Sequence, residues 1–385
     1  MYTENKLYEK RVVIVTHEYA TGPSHALEIY LKLKVKKLFF IAHPFVFAKD
    51  RRSHYRLYQD FGKLIRQKKF IDFVSNEFVS ILKDDFLSFF WILKEGKFDV
   101  FVGVDATNAL IGILLKKIGF IKKVIFYTID YVPRRFENKI LNSTYHLLDK
   151  FAVAHSDFVW NLSSIMVKER EKRGVSAKYR KKQIVVPVGT ESGIEQIPFK
   201  NIKRFHVVHM GHLIRKQGVQ LLIEAIPEII KQIPQFHAEI IGGGKYEIEL
   251  KKLAEKLSVS NYLTFYGFIE DLEEVERLLS YCALGIAPYV NSKDNYVRYT
   301  DPGKVKAYLT VGLPVIITRV PAIALEIEKR KCGVAIDYDK HQLAKAVVKI
   351  LSNETTLTDY RKNAYKMGKE YRWDKVFHKA FEQTL

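Results

Sequence analysis

The chain has 385 residues, 48% of them hydrophobic and 13% aromatic, which is too long for one ordinary core and too apolar for a disordered chain. Its two cysteines, Cys282 and Cys332, fall in apolar patterns; they exclude a disulfide framework and predict buried thiols in a reducing compartment. With 63 basic against 43 acidic residues the formal charge is +20, so an anionic partner is expected: nucleic acid, an anionic membrane face or a phosphorylated substrate.

The first residues, MYTENKLYEKRVVIV, contain no apolar signal core, and runs such as Phe86 to Leu93 are too short to span a bilayer, which predicts a cytoplasmic protein. Val12 to Val15 reads as a buried parallel strand feeding a loop, Thr16 to His25, and then a helix. Buried-strand runs follow at Lys37 to Ala42, Phe98 to Val104, Val124 to Thr128, Phe158 to Leu162 and Ile184 to Val188. Helical stretches at Phe86 to Leu93, Ala109 to Ile118 and Ile140 to Ala154 alternate with them, as in a parallel sheet.

Between Glu191 and Lys203 the pattern lapses into Gly, Pro and polar residues, including Gly193, and then restarts. Phe205 to Met210 is a new first strand, followed by Gly211, a basic loop and a helix from Gly218 to Gln232. Phe236 to Ile241 precedes Gly242-Gly243-Gly244, and Leu263 to Tyr266, Leu284 to Ala287 and Val315 to Thr318 continue the series. The expected fold class is α/β with two facing Rossmann-like domains, residues 1–195 and 196–358, and a ligand in the cleft at the carboxyl ends of their strands. Residues 359–385 form an amphipathic helical segment anchored by Tyr371, Trp373, Phe377 and Phe381, expected to cross back to the first domain.

Tyr299 to Thr318, YTDPGKVKAYLTVGLPVIIT, reads as loop, helix, turn and strand. Pro302-Gly303 ahead of a helix from Lys304 leaves the first backbone N–H groups free for an anion, with Asp301 in the N-cap position and Gly312-Leu313-Pro314 as the stop. A capped connection without a ligand fits the same residues.

In their order, these pieces of the second half resemble the donor-binding domain of GT-B glycosyltransferases, specifically the retaining family 4 or group 1 enzymes. The carriers are strand, Gly211, basic loop and Gly218; Ile240 to Gly244; Phe265-Tyr266-Gly267-Phe268; Ala283 to Pro288; and the stretch from Tyr299. The resemblance makes the first domain the acceptor domain and the second the nucleotide-sugar donor domain. It implies diphosphate contacts from Gly211, Gly243 and the loop after the first strand of the second domain. There the family's Arg and Lys align with His212 and Gln217, with Arg215 and Lys216 alongside. The family's two glutamates, seven residues apart, align with Tyr299 and Ala307. The turn Thr300-Asp301-Pro302-Gly303-Lys304 then reads as a variant in which Asp301 meets the sugar and Lys304 a phosphate or a sugar carboxylate.

In the first domain three loops follow strands: His17 to His25, Asp105 to Asn108, and Asp130 to Arg135. The first stands where the family has a closing glycine-rich loop, for which Gly22 and Ser24 are suited, with His25 at the start of the next helix. Asp105 and Asp130 are candidate bases or acceptor-orienting groups, Asp130 preferred for its neighbours Tyr127, Tyr131 and Arg134. Each of these side chains also fits a plain cap or turn role. A retaining reaction needs no obligatory protein base, because the leaving phosphate can assist, and no metal or cofactor is expected beyond the nucleotide-diphosphate sugar as co-substrate.

Lys49 to Phe70 interleaves Arg51, Arg52, Arg56, Lys63, Arg66, Lys68 and Lys69 with aromatic and aliphatic residues. This basic amphipathic segment suits an anionic membrane surface, or equally a solvated helix face. Dispersed charge and the lack of a nucleic-acid-binding motif argue against nucleic acid. The expected function is sugar transfer from a nucleotide-diphosphate sugar to a glycan or lipid-linked acceptor, at the inner face of the membrane. The alternatives are a GT-B sugar-nucleotide epimerase and a non-catalytic nucleotide-sugar or membrane-binding protein.

Overall fold

The computed structural model describes residues 7–18, 22–70, 76–191 and 195–385. Two compact units divide the chain, Met1–Pro187 with Trp373–Leu385, and Val188–Arg372. Gly193, and Tyr19 to Thr21 of the first expected loop, lie outside the described residues.

The first unit is built on eight strands: β1 (Arg11–Glu18), β2 (Lys37–Pro44), β3 (His54–Gln59), β4 (Lys63–Lys69), β5 (Phe98–Val104), β6 (Ile121–Thr128), β7 (Phe158–Asn161) and β8 (Gln183–Val185). They lie in the order β4-β3-β2-β1-β5-β6-β7-β8. Pairing is parallel from β2 through β8, and the strands cluster Val13, Val15, Phe39, Ile41 and Phe101 into a core with helices on both faces. The helices Glu77–Glu95, Ala106–Lys117 and Lys139–His155 each carry the chain one way across the sheet, so the right-handed crossover rule sets them on one face, the middle one packed between the others.

Lys49 to Phe70 departs from the helical expectation. It holds an antiparallel hairpin, with β3 on β2 and β4 on the outer edge. The pattern there has period two: Tyr55 and Leu57 are buried while Arg56 turns away and donates both ends of its guanidinium to Glu28, at 2.6 and 2.7 Å. All seven residues of β4 are exposed, and its lysines and Arg66 keep an unpaired edge from recruiting another strand.

The second unit is a six-stranded, all-parallel sheet: β9 (His206–Met210), β10 (His237–Ile241), β11 (Leu263–Gly267), β12 (Leu284–Ala287), β13 (Val315–Thr318) and β14 (Gly333–Ile336). Its order, β11-β10-β9-β12-β13-β14, is the doubly wound 3-2-1-4-5-6 arrangement. Cys282 and Cys332 are free and buried in it.

The expected terminal helical segment is two elements. Glu354–Gly368 packs in the second unit, where buried Arg361 donates to the Cys282 carbonyl at 3.0 Å, whereas Trp373–Thr384 belongs to the first. There Phe381 meets Trp160 edge-on at 5.0 Å and Phe377 lies 5.5 Å from Tyr30. Among the described residues no helix is long and apolar enough to cross a membrane. Phe381 is fully buried, so Phe381→Ala should cost the first unit about 3–5 kcal/mol, read as a lowered urea midpoint of tryptophan fluorescence, since Trp91, Trp160 and Trp373 all lie in that unit.

Candidate functional site

In the second unit the strand order reverses between β9 and β12, where a doubly wound sheet opens at its carboxyl ends. The loop after β9 begins at Gly211, whose φ of +134° favours glycine; a Cβ there would sit 2.9 Å from the Lys304 Nζ. It ends at Gly218, left-handed at φ +81°, where a Cβ would collide with the Pro288 carbonyl. The loop after β12 is clipped to it: Asn295 donates to the Lys216 carbonyl at 3.0 Å, and the Lys216 Nζ lies 2.6 Å from an Asp294 carboxylate oxygen. His212 and Arg215 are exposed, and the Gly243 carbonyl accepts the Leu213 N–H at 3.0 Å.

The helix Gly303–Thr310 starts beside this loop. Pro302 caps it without a side-chain bond, so the N–H groups of its first turn have no capping side chain. Lys304 reaches back across the strand ends: its Nζ donates to Gln217 Oε1 at 2.7 Å and faces His209 Nε2 at 3.4 Å and the Tyr289 ring at 5.2 Å. His209 is buried with Nδ1 3.1 Å from the Ile286 carbonyl; burial, with Lys304 nearby, holds its pKa well below the ordinary value. A neutral imidazole donating from Nδ1 leaves Nε2 as an acceptor for the ammonium. None of these neighbours is a carboxylate. Burial accordingly pulls Lys304 from 10.5 down to about 7.

The sequence pointed to Arg215 and Lys216 as the cations replacing those the family has at 212 and 217. Lys216 is instead committed to Asp294, and the cation standing at Gln217 comes from the distant helix Gly303–Thr310 as Lys304. Asp301 is also committed. One carboxylate oxygen accepts the Val188 N–H at 2.8 Å and the other lies 3.0 Å from the Lys306 Nζ, which in turn sits 3.6 Å over the Tyr371 ring. Burial drives Asp301 up and Lys306 down, and each opposes the shift of the other. Asp301 therefore fixes the turn from behind, while Tyr299 and Thr300 are half-buried in the approach to it, the Tyr299 hydroxyl 3.5 Å from the Lys293 carbonyl.

The first unit reverses its strand order between β1 and β5, and a cavity of about 150 Å³ opens at that end. Asp105, after β5, adopts φ +73° and ψ 163°, a region almost reserved for glycine, without capping the helix it precedes. Burial raises its pKa to about 6. Opposite lie His17, 3.7 Å from Asp84, and Asn108, whose amide nitrogen is 3.0 Å from His17 Nδ1. Burial alone would raise Asp84, but bonds to His17 and His43 and an Ser53 hydroxyl donated at 2.9 Å hold it as a carboxylate. The floor is Asp149, whose two oxygens accept from buried Arg170 at 2.6 and 2.8 Å, and Thr128, which accepts from the same guanidinium at 2.7 Å.

Asp130 stands at the rim, exposed and 3.7 Å from Arg135; Tyr127 and Tyr131, expected around it, are packed in the core, so of the two carboxylates expected from the sequence Asp105 is the one held within the cavity. His25 lies outside its lining, bound to Glu18 at 2.8 Å, and Gly22 is the extended N-cap of the helix Pro23–Lys32. His17, Asp84 and Arg170 were not singled out from the sequence. A paired Asp84-Asp85 inside an apolar helix was the available signal.

Residues 193–367 match the family model described as glycosyl transferases group 1. The matched stretch covers most of the second unit. Among curated relatives, a protein named for colanic acid biosynthesis, the glycosyltransferase WcaL of Escherichia coli, is 23% identical over 61% of the chain and 57% of its own length. The GDP-mannose-dependent phosphatidylinositol monomannoside mannosyltransferase of Mycobacterium tuberculosis is 24% identical over 44% of each chain. The chain thus spans about half the length of such relatives. Among solved structures, Anabaena HepE in complex with UDP is 14% identical, with a TM-score of 0.71 over 97% of this chain and 98% of that one; sucrose-phosphate synthase of Thermosynechococcus elongatus gives 16%, 0.70, 97% and 99%. These likenesses establish the GT-B fold class.

Two expectations follow from this geometry. Asp105→Gly and Asp105→Asn both remove the buried charge, but only Gly relieves the backbone, so Asp105→Gly should be the more stable of the two by about 1 kcal/mol, as urea unfolding will read. An anion bound at Lys304 favours its charged form, so affinity for a diphosphate anion such as pyrophosphate should be greatest below pH 7 and fall about ten-fold between pH 7 and 9. Titration calorimetry of Lys304→Arg, charged throughout, should lose that slope.

Proposed function

We propose that the chain transfers a glycosyl residue from a nucleotide-diphosphate sugar, bound by the second unit, to a glycan or lipid-linked acceptor bound by the first. The observation that carries the reading is Lys304, a half-buried ammonium at a strand-order reversal with no carboxylate partner among the groups that touch it. Such a group costs stability unless an anion arrives. The exposed Arg215 and His212 and the uncapped first turn of the helix Gly303–Thr310 supply further donors for a diphosphate. The naming of HepE complexes with UDP and with UDP-glucose supports a nucleotide-diphosphate donor.

Charge on a departing diphosphate rises as the glycosidic bond breaks, and fixed cations and N–H donors stabilise it without an obligatory metal. In the first unit Asp105, which makes no side-chain cap bond, is the group this reading gives the proton of the acceptor's hydroxyl, and His17, held opposite it by Asn108 and Asp84, supports that reading. Retention of configuration and independence from metal belong to this reading. So does an acceptor carried on lipid at an anionic membrane, for which relatives named as phosphatidylinositol monomannoside mannosyltransferase and alpha-monoglucosyldiacylglycerol synthase speak.

Purified protein titrated with UDP-, GDP-, ADP- and TDP-sugars should gain several degrees of thermal stability from one of them by mass action. Lys304→Met should abolish that gain while stabilising the unliganded fold by about 1–3 kcal/mol, since it removes a desolvated charge. No shift with any donor, in a protein that melts cooperatively, overturns the donor site.

A further inference from the structure

The first unit carries an unusual surface on the layer of helices Glu77–Glu95, Ala106–Lys117 and Lys139–His155. On the first of these helices Val79, Leu82, Phe86 and Phe90 are exposed at spacings of three and four residues, and the Phe86 and Phe90 rings lie 4.3 Å apart. The third exposes Ile140, Leu147 and Phe151 along one stripe, and the middle helix exposes Leu114. The charged side chains exposed among them are Lys94, Lys117, Lys139 and Lys150. Among the described side chains of the three helices no carboxylate is exposed: Asp84 and Asp149 are buried, and Asp85 and Glu95 are half-buried.

A solvated helix layer mixes both signs of charge and keeps large apolar groups isolated. This layer does neither. Its chemistry is that of an interfacial surface, apolar side chains entering the acyl boundary while lysines meet anionic headgroups. We infer that this three-helix layer is the docking face of the protein on an anionic lipid bilayer.

Its position gives the docking a purpose. The cavity holding Asp105 is lined by Ser80, Ile81 and Asp84 of the first helix and by Tyr145, Leu148 and Asp149 of the third, so the same two helices wall the cavity and carry the apolar stripes. The loop at its rim adds exposed Phe136, with Arg134 and Arg135 balanced by Asp130 and Glu137. An acceptor anchored in the bilayer would present its polar head to this cavity without leaving the lipid. This part rests on the acceptor assignment made above; the docking itself does not.

The basic edge strand β4 is the competing surface, and it is weaker: Arg66 is paired with Glu95 at 2.6 Å and Lys69 with Asp50 at 2.9 Å. The test is vesicle flotation of the full chain with phosphatidylcholine vesicles, alone or containing one third phosphatidylglycerol. The wild type should float with the anionic vesicles only, less so in high salt. Phe86→Glu with Leu147→Glu, both exposed positions, should weaken this by about ten-fold or more, whereas Lys63→Glu with Lys68→Glu on β4 should leave most of it.

Unchanged flotation of the helix variant, or loss confined to the β4 variant, overturns the inference. So does a dimer in the absence of vesicles that the helix variant converts to monomer, since a second copy then covers the face. The urea midpoint of tryptophan fluorescence, whose sources Trp91, Trp160 and Trp373 all lie in the first unit, checks that the variants fold. Should no nucleotide sugar shift the wild type while the flotation pattern holds, the donor assignment falls and the docking face stands.

Discussion

A parallel sheet whose strand order reverses has two central strands whose following loops part in opposite directions, and that parting is the constraint from which the sites here follow. It occurs between β1 and β5 in one unit and between β9 and β12 in the other. Each reversal is marked by a group out of equilibrium with its surroundings. In the first unit it is a carboxylate on a backbone suited to glycine, and in the second an ammonium lowered to about 7 by burial. Both cost folding energy that the well-packed sheets beneath can absorb.

The parallel strands were legible in the sequence because burial on both faces leaves no polar alternation to misread; Val315–Thr318 is found at its expected bounds. The hairpin was not, since its outer strand is wholly exposed and its inner strand shows period two over only six residues, hidden among basic side chains. β14, Gly333–Ile336, was not read from the sequence.

At the sites, sequence order located the loops and missed the partners. Asp301 looked like a ligand because its position suits a cap, but Lys306, five residues on, turns the carboxylate into a brace. Lys304 emerged from the same turn, yet its replacement of the loop cation depends on Gln217, 87 positions away, which no local pattern reveals. The cavity of the first unit depends likewise on Asp84 in a helix that reads as plain amphipathic packing, and on Arg170, whose burial has meaning only with Asp149 and Thr128 in place. The net charge of +20 was visible from composition, but not its segregation, with carboxylates gathered in the cavity and lysines on the outer helices.

The helix Trp373–Thr384 also sets an order of events during synthesis. It completes the apolar surface around Trp160 and Tyr30, yet it leaves the ribosome only after all of Val188–Arg372. The second unit, continuous in sequence, can close its core while the first still has a groove beside Trp160 and Tyr30. The unit that begins the chain is thus the last to be sealed, and a chain released short of residue 373 would have one finished unit and one open to chaperones.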